Sequence, residues 1–190
     1  NPNLQMLFVS ITLFCSVDAG LLSLAGLGRE RGLPVSSFFA ASAVSSLLVR
    51  FFGRSLPDRL PRVRTSWICA AAAAVILAAC ALPFIRSPLA FAACGGVYGI
   101  FIGLGYPILL ALISDTAAPE QRSRVTSLFW FFMGLAYLFM PVITGYLAAL
   151  LRYKAAFFLL NLALVPLLAF AGLRWEKLQA PRMIPAEKSH

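Results

Sequence analysis

The chain alternates between long apolar runs and short polar joints. The runs lack the strict alternation of a half-buried strand, and each stays apolar for longer than a typical buried strand. Six are long enough to cross a hydrocarbon core of about 30 Å, which takes roughly 20 helical residues. They cover residues 4–27, 34–52, 65–85, 88–114, 125–151 and 155–173. Lipid leaves no water to satisfy an open backbone, so unbroken apolar runs of this kind must be helices rather than barrel strands. The pattern predicts an all-α, integral membrane six-helix bundle over residues 1–174, followed by a polar tail at 175–190.

The joints differ in length and charge. The first, third and fifth are short and contain "GRERG", "RSP" and "LRYK"; the second, with "GRSLPDRLPRVR", and the fourth, with "SDTAAPEQRSR", are long. With six crossings, both termini share a side with the two long joints. That side carries Arg50, Arg54, Arg59, Arg62, Arg64, Arg122, Arg124, Arg174, Lys177, Arg182 and Lys188, and the other carries Arg29, Arg31, Arg86, Arg152 and Lys154. Eleven cations against five, or seven against five without the tail, place the termini and long joints in the cytoplasm by the positive-inside rule. A bacterial inner membrane is the expected location.

Composition agrees with burial in lipid and removes several other classes. Charged residues make up 12% of the chain, about half the usual share for a soluble domain, and mean hydropathy is +0.86. The net charge of +9 comes from cations scattered at run ends, without the aromatic-lined basic groove of a nucleic-acid binder, so no nucleic acid is expected as a partner. Cys15, Cys69, Cys80 and Cys94 lie in apolar stretches without a CxxC pair and read as small buried hydrophobes. The sole histidine is the last residue, His190, and there is no HExxH, GxSxG, Walker A sequence or acid cluster. No enzyme, metal site or cofactor is expected. The opening "NPNLQMLF" has neither a starting methionine nor a signal peptide, and reads as part of something longer.

Prolines and glycines punctuate the runs. Pro34, Pro88 and Pro119 fall where helices should begin and a missing N–H costs nothing. Pro107, Pro141 and Pro166 lie inside runs, as fixed kinks or as points of flexure. Gly95, Gly99 and Gly103, at spacing four in the fourth run, make a groove for close helix approach, with clearance of a substrate path as the alternative. "SSFFAASAVSS" in the second run is rich in small residues and predicts a helix facing protein more than lipid.

Asp18, in "FCSVDAGLL", is the acid well inside a span. An uncompensated carboxylate there costs about 2.5 to 3.5 kcal/mol on insertion scales, so it should face a partner or a water cavity. It is the leading candidate for a proton carrier or cation binder; the structural alternative is a pair with an arginine or a helix-terminal amide. Tyr98, Tyr106, Trp130, Tyr137 and Asn161 are the other notable polar or amphipathic groups in the runs, and Tyr106, beside Pro107, is the strongest candidate among them for the substrate path.

The second joint carries a further signal. Gly53, Leu56, Asp58, Arg59 and Arg62, in the loop between the second and third helices, resemble the G-x-L-x-D-R-x-G-R-R loop of the major facilitator superfamily. Gly53 falls one residue early, Pro61 replaces the second glycine, and Val63 replaces an arginine that Arg64 can stand in for. "PEQRSRVTSLFWFFMGLAYLFMPVITGYL" resembles the family's loop and helix from the tenth to the eleventh crossing, through Pro119, Arg122, Arg124, Gly134, Pro141 and Gly145. The resemblance spans nearly the whole chain and favours the C-terminal six-helix half.

It implies that Asp58 is a latch carboxylate, with Arg59, Arg62 and Arg64 around it, gripping a helix end of an N-terminal half. It also implies that the first and fourth helices line a central path, bringing Asp18 and Tyr106 near it, that the second and fifth meet the other half, and that the third and sixth face lipid. The function then expected is secondary active transport of a small organic molecule, such as a drug-like compound or sugar, by alternating access and with proton coupling through Asp18. The partners would be the lipid bilayer, the N-terminal half or another membrane subunit, and the substrate. The alternatives are a non-transporting membrane subunit or scaffold with a half-transporter fold, and a six-helix half acting as a homodimer.

Overall fold

The structure, a computed structural model, describes residues 2–53, 55–83 and 85–179. Arg54, Arg182, Lys188, His190 and the tail beyond Gln179 lie outside the described residues. Among those described, every regular element is a helix, and six helices are long and apolar enough to cross a membrane. α1 (Pro2–Gly20) passes through a 3-10 turn (Leu21–Ser23) into α2 (Leu24–Arg31), and the two form the first span. Gly32 ends it in the left-handed conformation, φ 67°, which a side chain would resist. The remaining spans are α3 (Val35–Phe52), α5 (Arg62–Cys80), α6 (Pro88–Thr116), α7 (Arg122–Leu151) and α8 (Tyr153–Gln179), with the single-turn α4 (Leu56–Arg59) inside the arginine-rich joint.

Several boundaries depart from the hydropathy pattern, each for a local reason. α5 starts at Arg62 because Pro61 supplies an extended N-cap, so Arg62 and Arg64 sit in the first turn of a helix rather than in a loop. It stops at Cys80 instead of residue 85: Pro83 disfavours helical geometry at Leu82, and the Arg31 guanidinium donates to the carbonyls of Cys80 and Ile85. α8 continues to Gln179 because Trp175 is fully buried and Glu176 accepts a 2.9 Å hydrogen bond from Trp67 Nε1; the segment assigned to the tail at 175–179 is helical. Pro107, Pro141 and Pro166 all lie inside continuous helices.

Packing follows one pairing rule applied twice. α3 lies along α6, and α7 lies along α1; α5 leans on α6, and α8 on α1; α5 and α8 pack on each other. Exchanging the first three spans for the last three reproduces the same pairs, and because three crossings reverse direction, this is the pattern of an inverted repeat. The core is built from Leu7, Ile11, Phe14, Leu77, Phe91, Phe157 and their neighbours, all fully or almost fully buried.

The α3–α6 seam explains the glycine spacing. A Cβ on Gly95 would lie 2.3 Å from the carbonyl oxygen of Phe38, and one on Gly99 would lie 2.2 Å from that of Ser42. One on Gly103 would lie 2.9 Å from the Cα of Ser46. The three glycines let backbone meet backbone: Gly95 faces Phe38, and Gly99 and Gly103 face serines of α3.

That seam uses only one side of α3. Within this chain 6% of α3 is buried, against 61% of an apolar 18-residue stretch of the first span, and Phe38 is its only fully buried residue. The second helix, expected to face protein more than lipid, is left largely uncovered by this chain's own helices: Val44, Leu47, Leu48, Phe51 and Phe52 point outward. The fifth span is similarly uncovered, at 17%.

Candidate functional site

Asp18 ends up where α1, α6 and α7 converge, three residues before the 3-10 turn that interrupts the first span. Tyr98 and Tyr106 are eight residues apart on α6, which puts them on nearly the same face and roughly 12 Å apart along the axis. Their hydroxyls reach the carboxylate from the two ends of that interval: Tyr98 donates to Oδ1 and Tyr106 to Oδ2, each at 2.8 Å. Tyr137 of α7 donates to Oδ2 from the opposite side.

This arrangement answers the two structural alternatives for Asp18. No arginine and no helix-terminal amide pairs with it among the described residues; three phenol donors compensate the charge instead. Each charge-assisted hydrogen bond contributes about 1.5 to 3 kcal/mol, so three offset the insertion cost of a single carboxylate. Asp18 is 8% exposed and Tyr98 1%, while Tyr106 and Tyr137 are half-buried, so the cluster is closed on the Tyr98 side and reachable on the other. Phe14 packs edge-on against Tyr106 at 5.0 Å between ring centroids, and Met133, one turn before Tyr137, places its sulfur 3.9 Å from the Tyr106 hydroxyl. Pro107 has no N–H to donate to the carbonyl of Gly103, so the helical ladder is weakened directly beside Tyr106.

The sequence pointed to Asp18 and Tyr106, and the structure brings them together. Tyr98 and Tyr137 were visible only as two polar groups among several, and their convergence depends on how α6 and α7 are rotated. Trp130 is 55% exposed and remote from the cluster's hydrogen bonds. Asn161 is fully buried on α8, where its amide nitrogen bonds to the carbonyl of Phe157 at 2.8 Å and its oxygen faces Gly20 without a hydrogen-bond donor.

A second polar constellation lies at the end of the bundle that carries the long joints. Arg62 donates to Asp58 Oδ1 at 3.0 Å, one turn back, and to Asp115 Oδ2 at 2.6 Å, in the last turn of α6. Arg59 and Arg64 are exposed and take no part in this clamp, and Gly53 caps the C-terminal end of α3. Asp115 was missed by sequence reasoning, although a signal existed. An aspartate in the last turn of a helix opposes the helix dipole and calls for a nearby cation. Arg122 adds a bond to the carbonyl of Ser114 at 3.1 Å, so the C-terminal end of α6 is held by arginines from both long joints.

Six apolar spans packed as two inverted triplets, with one compensated carboxylate at mid-bundle, define an integral membrane protein of the transporter class. The comparison with known families agrees. Residues 4–189 match the family model of the Major Facilitator Superfamily, and the chain belongs to that family. Its members are membrane transporters, not enzymes. Searches of curated proteins and of solved structures gave no significant match.

Proposed function

We propose that the chain forms the C-terminal half of a secondary carrier that moves a small organic molecule by alternating access, with transport coupled to protons through Asp18. The observation that carries this reading is the buried Asp18 held by three tyrosine hydroxyls from two other helices and, among the described residues, by no fixed cation. A fixed arginine would lock the carboxylate in one state, whereas hydroxyl donors on separate helices can be withdrawn by helix movement. When a donor leaves, the charged form loses its compensation, and a proton takes the donor's place. Proton uptake and helix position are then two sides of one equilibrium.

The uncovered faces of α3 and α7 support a second half on that side, with the Asp58–Arg62–Asp115 clamp at the same end as the termini, which the cation count assigns to the cytoplasm. In this reading the clamp biases the two conformations by about 1 kcal/mol, in proportion to an exposed ion pair.

The test uses the complete protein in proteoliposomes with an imposed proton gradient and a panel of radiolabelled sugars, amino acids and organic cations. A compound that accumulates is then measured with Asp18→Asn. The expected result is loss of gradient-driven accumulation while energy-independent counterflow exchange of the same compound persists. Accumulation by Asp18→Asn equal to that of the unaltered protein refutes the coupling role. If no panel compound accumulates or exchanges in the unaltered protein, the transport reading itself is overturned in favour of a scaffold.

A further inference from the structure

At the end of the bundle opposite the Arg62 clamp, the three short joints come together. They and the adjoining helix ends enclose a recess of about 360 Å³ lined by Arg31, Arg86 and Lys154, with Leu33 and Pro83 completing the wall. Each cation comes from a different joint: Arg31 from the end of α2, Arg86 from the turn between α5 and α6, and Lys154 from the start of α8. Backbone oxygens hold the two guanidiniums in place, Arg31 on Cys80 and Ile85, and Arg86 Nε on Pro83 at 2.7 Å. Carbonyls orient these groups without neutralising them.

One acid, Glu30, stands beside the recess and keeps its charge, so the three lining cations leave a net of two positive charges there. Glu30 accepts the backbone N–H of Lys154 at 3.0 Å, and both salt bridges among the described residues belong to Arg62, so none of the three lining cations is in an ion pair. A guanidinium carries five N–H donors, of which Arg31 spends two on carbonyls.

We propose that this recess binds an oxyanion, with the phosphate group as the fitting chemistry, supplied either by the headgroup of an anionic phospholipid or by a soluble phosphate compound. Two guanidiniums present planar forks that match phosphate oxygens, and the lysine adds a mobile point charge. Three converging positive charges at the membrane–water boundary, anchored by backbone carbonyls, form a preorganised anion seat. Their place on the cation-poorer face means that they do not contribute to the charge bias that orients the chain.

The experiment compares the complete protein with Arg86→Gln/Lys154→Gln, leaving Arg31 in place because it ties α2 to the end of α5. Arg50→Gln/Arg124→Gln, at the other end of the bundle, is the charge-matched control. One arm counts phosphatidylglycerol retained, by native mass spectrometry, after extraction from vesicles of phosphatidylcholine and phosphatidylglycerol. The other titrates inorganic phosphate and pyrophosphate calorimetrically in phosphatidylcholine nanodiscs. The recess variant should bind one of these probes about thirtyfold more weakly, with the control unchanged, since each of the two cations removed is worth a factor of about five near a membrane surface. Loss in the lipid arm alone identifies a headgroup seat, and loss in the phosphate arm identifies a soluble anion. Equal binding of every probe by the recess variant and the unaltered protein, or an equal loss in the control, overturns the proposal.

Discussion

Replacing Gly99 by alanine should separate two helices that the structure holds in backbone contact. The added Cβ would lie 2.2 Å from the carbonyl oxygen of Ser42 and 2.2 Å from Ser45 Oγ, more than 1 Å inside ordinary contact. The serine hydroxyl can rotate away, but the carbonyl belongs to α3 and moves only with the helix. A shift of about 1 Å along this seam loosens the contacts that Gly95 and Gly103 also depend on. Overpacking of this kind costs about 1 to 3 kcal/mol, and the backbone obstacle puts Gly99→Ala and Gly95→Ala near the upper end. Gly96 lies on the same helix, and a Cβ there meets nothing within 4 Å; Gly96→Ala should be neutral or gain up to about 1 kcal/mol of helix propensity. The assay is equilibrium unfolding of the complete protein in mixed micelles, with transport measured in parallel. Equal stability of the Gly99 and Gly96 variants would refute the packing argument. Lost transport with unchanged stability would show that the stripe clears a path instead.

Tyr98→Phe should be the most destabilising single change in the Asp18 cluster, by about 1.5 to 3 kcal/mol, because it strips one donor from a charge at the closed side, where water cannot substitute. Tyr106→Phe, with its half-buried hydroxyl, should cost less in the same unfolding assay; the reverse order would contradict the assignment of open and closed sides. Asp115→Asn should change stability by under about 1 kcal/mol, because its partner Arg62 is partly exposed and retains Asp58. In the complete protein it should nonetheless alter the labelling rate of a cysteine placed on the uncovered face of α3, if the clamp biases conformation; an unchanged rate removes Asp115 from the latch.

The six spans were legible because a run of about 20 apolar residues has one physical solution in lipid. The ends were less so, since tertiary contacts set them. Nothing local in "QA" or "RWEK" reveals that Trp175 is buried or that Glu176 bonds to Trp67, so the last helix was read as ending too early. Asp18 stood out because its charge is expensive where it sits. Tyr98 and Tyr137 did not, because an aromatic in a membrane helix is at home whether or not its hydroxyl has work. The glycine stripe announced close approach but not the partner, which the chain order alone leaves undetermined.

The position of the Asp18 cluster relative to the seams gives the coupling proposal its physical basis. α6 is fixed to α3 by the glycine stripe and to α5 along its length, and α7 is fixed to α1, but α6 packs little against α1 or α7 directly. The bonds from Tyr98 and Tyr106 to Asp18 form a polar tie across a seam whose apolar packing is concentrated at Phe14, against Gly105 and Tyr106. A protonated carboxyl accepts fewer and weaker hydrogen bonds than a carboxylate, so adding one proton loosens this seam and leaves the two tight ones intact. The energy at stake, a few charge-assisted hydrogen bonds at about 1.5 to 3 kcal/mol each, is comparable to the roughly 5.5 kcal/mol needed to reverse a conformational equilibrium almost completely. Under the proposed coupling, protonating Asp18 removes part of that energy and shifts the balance between two arrangements of α6 against α1 and α7.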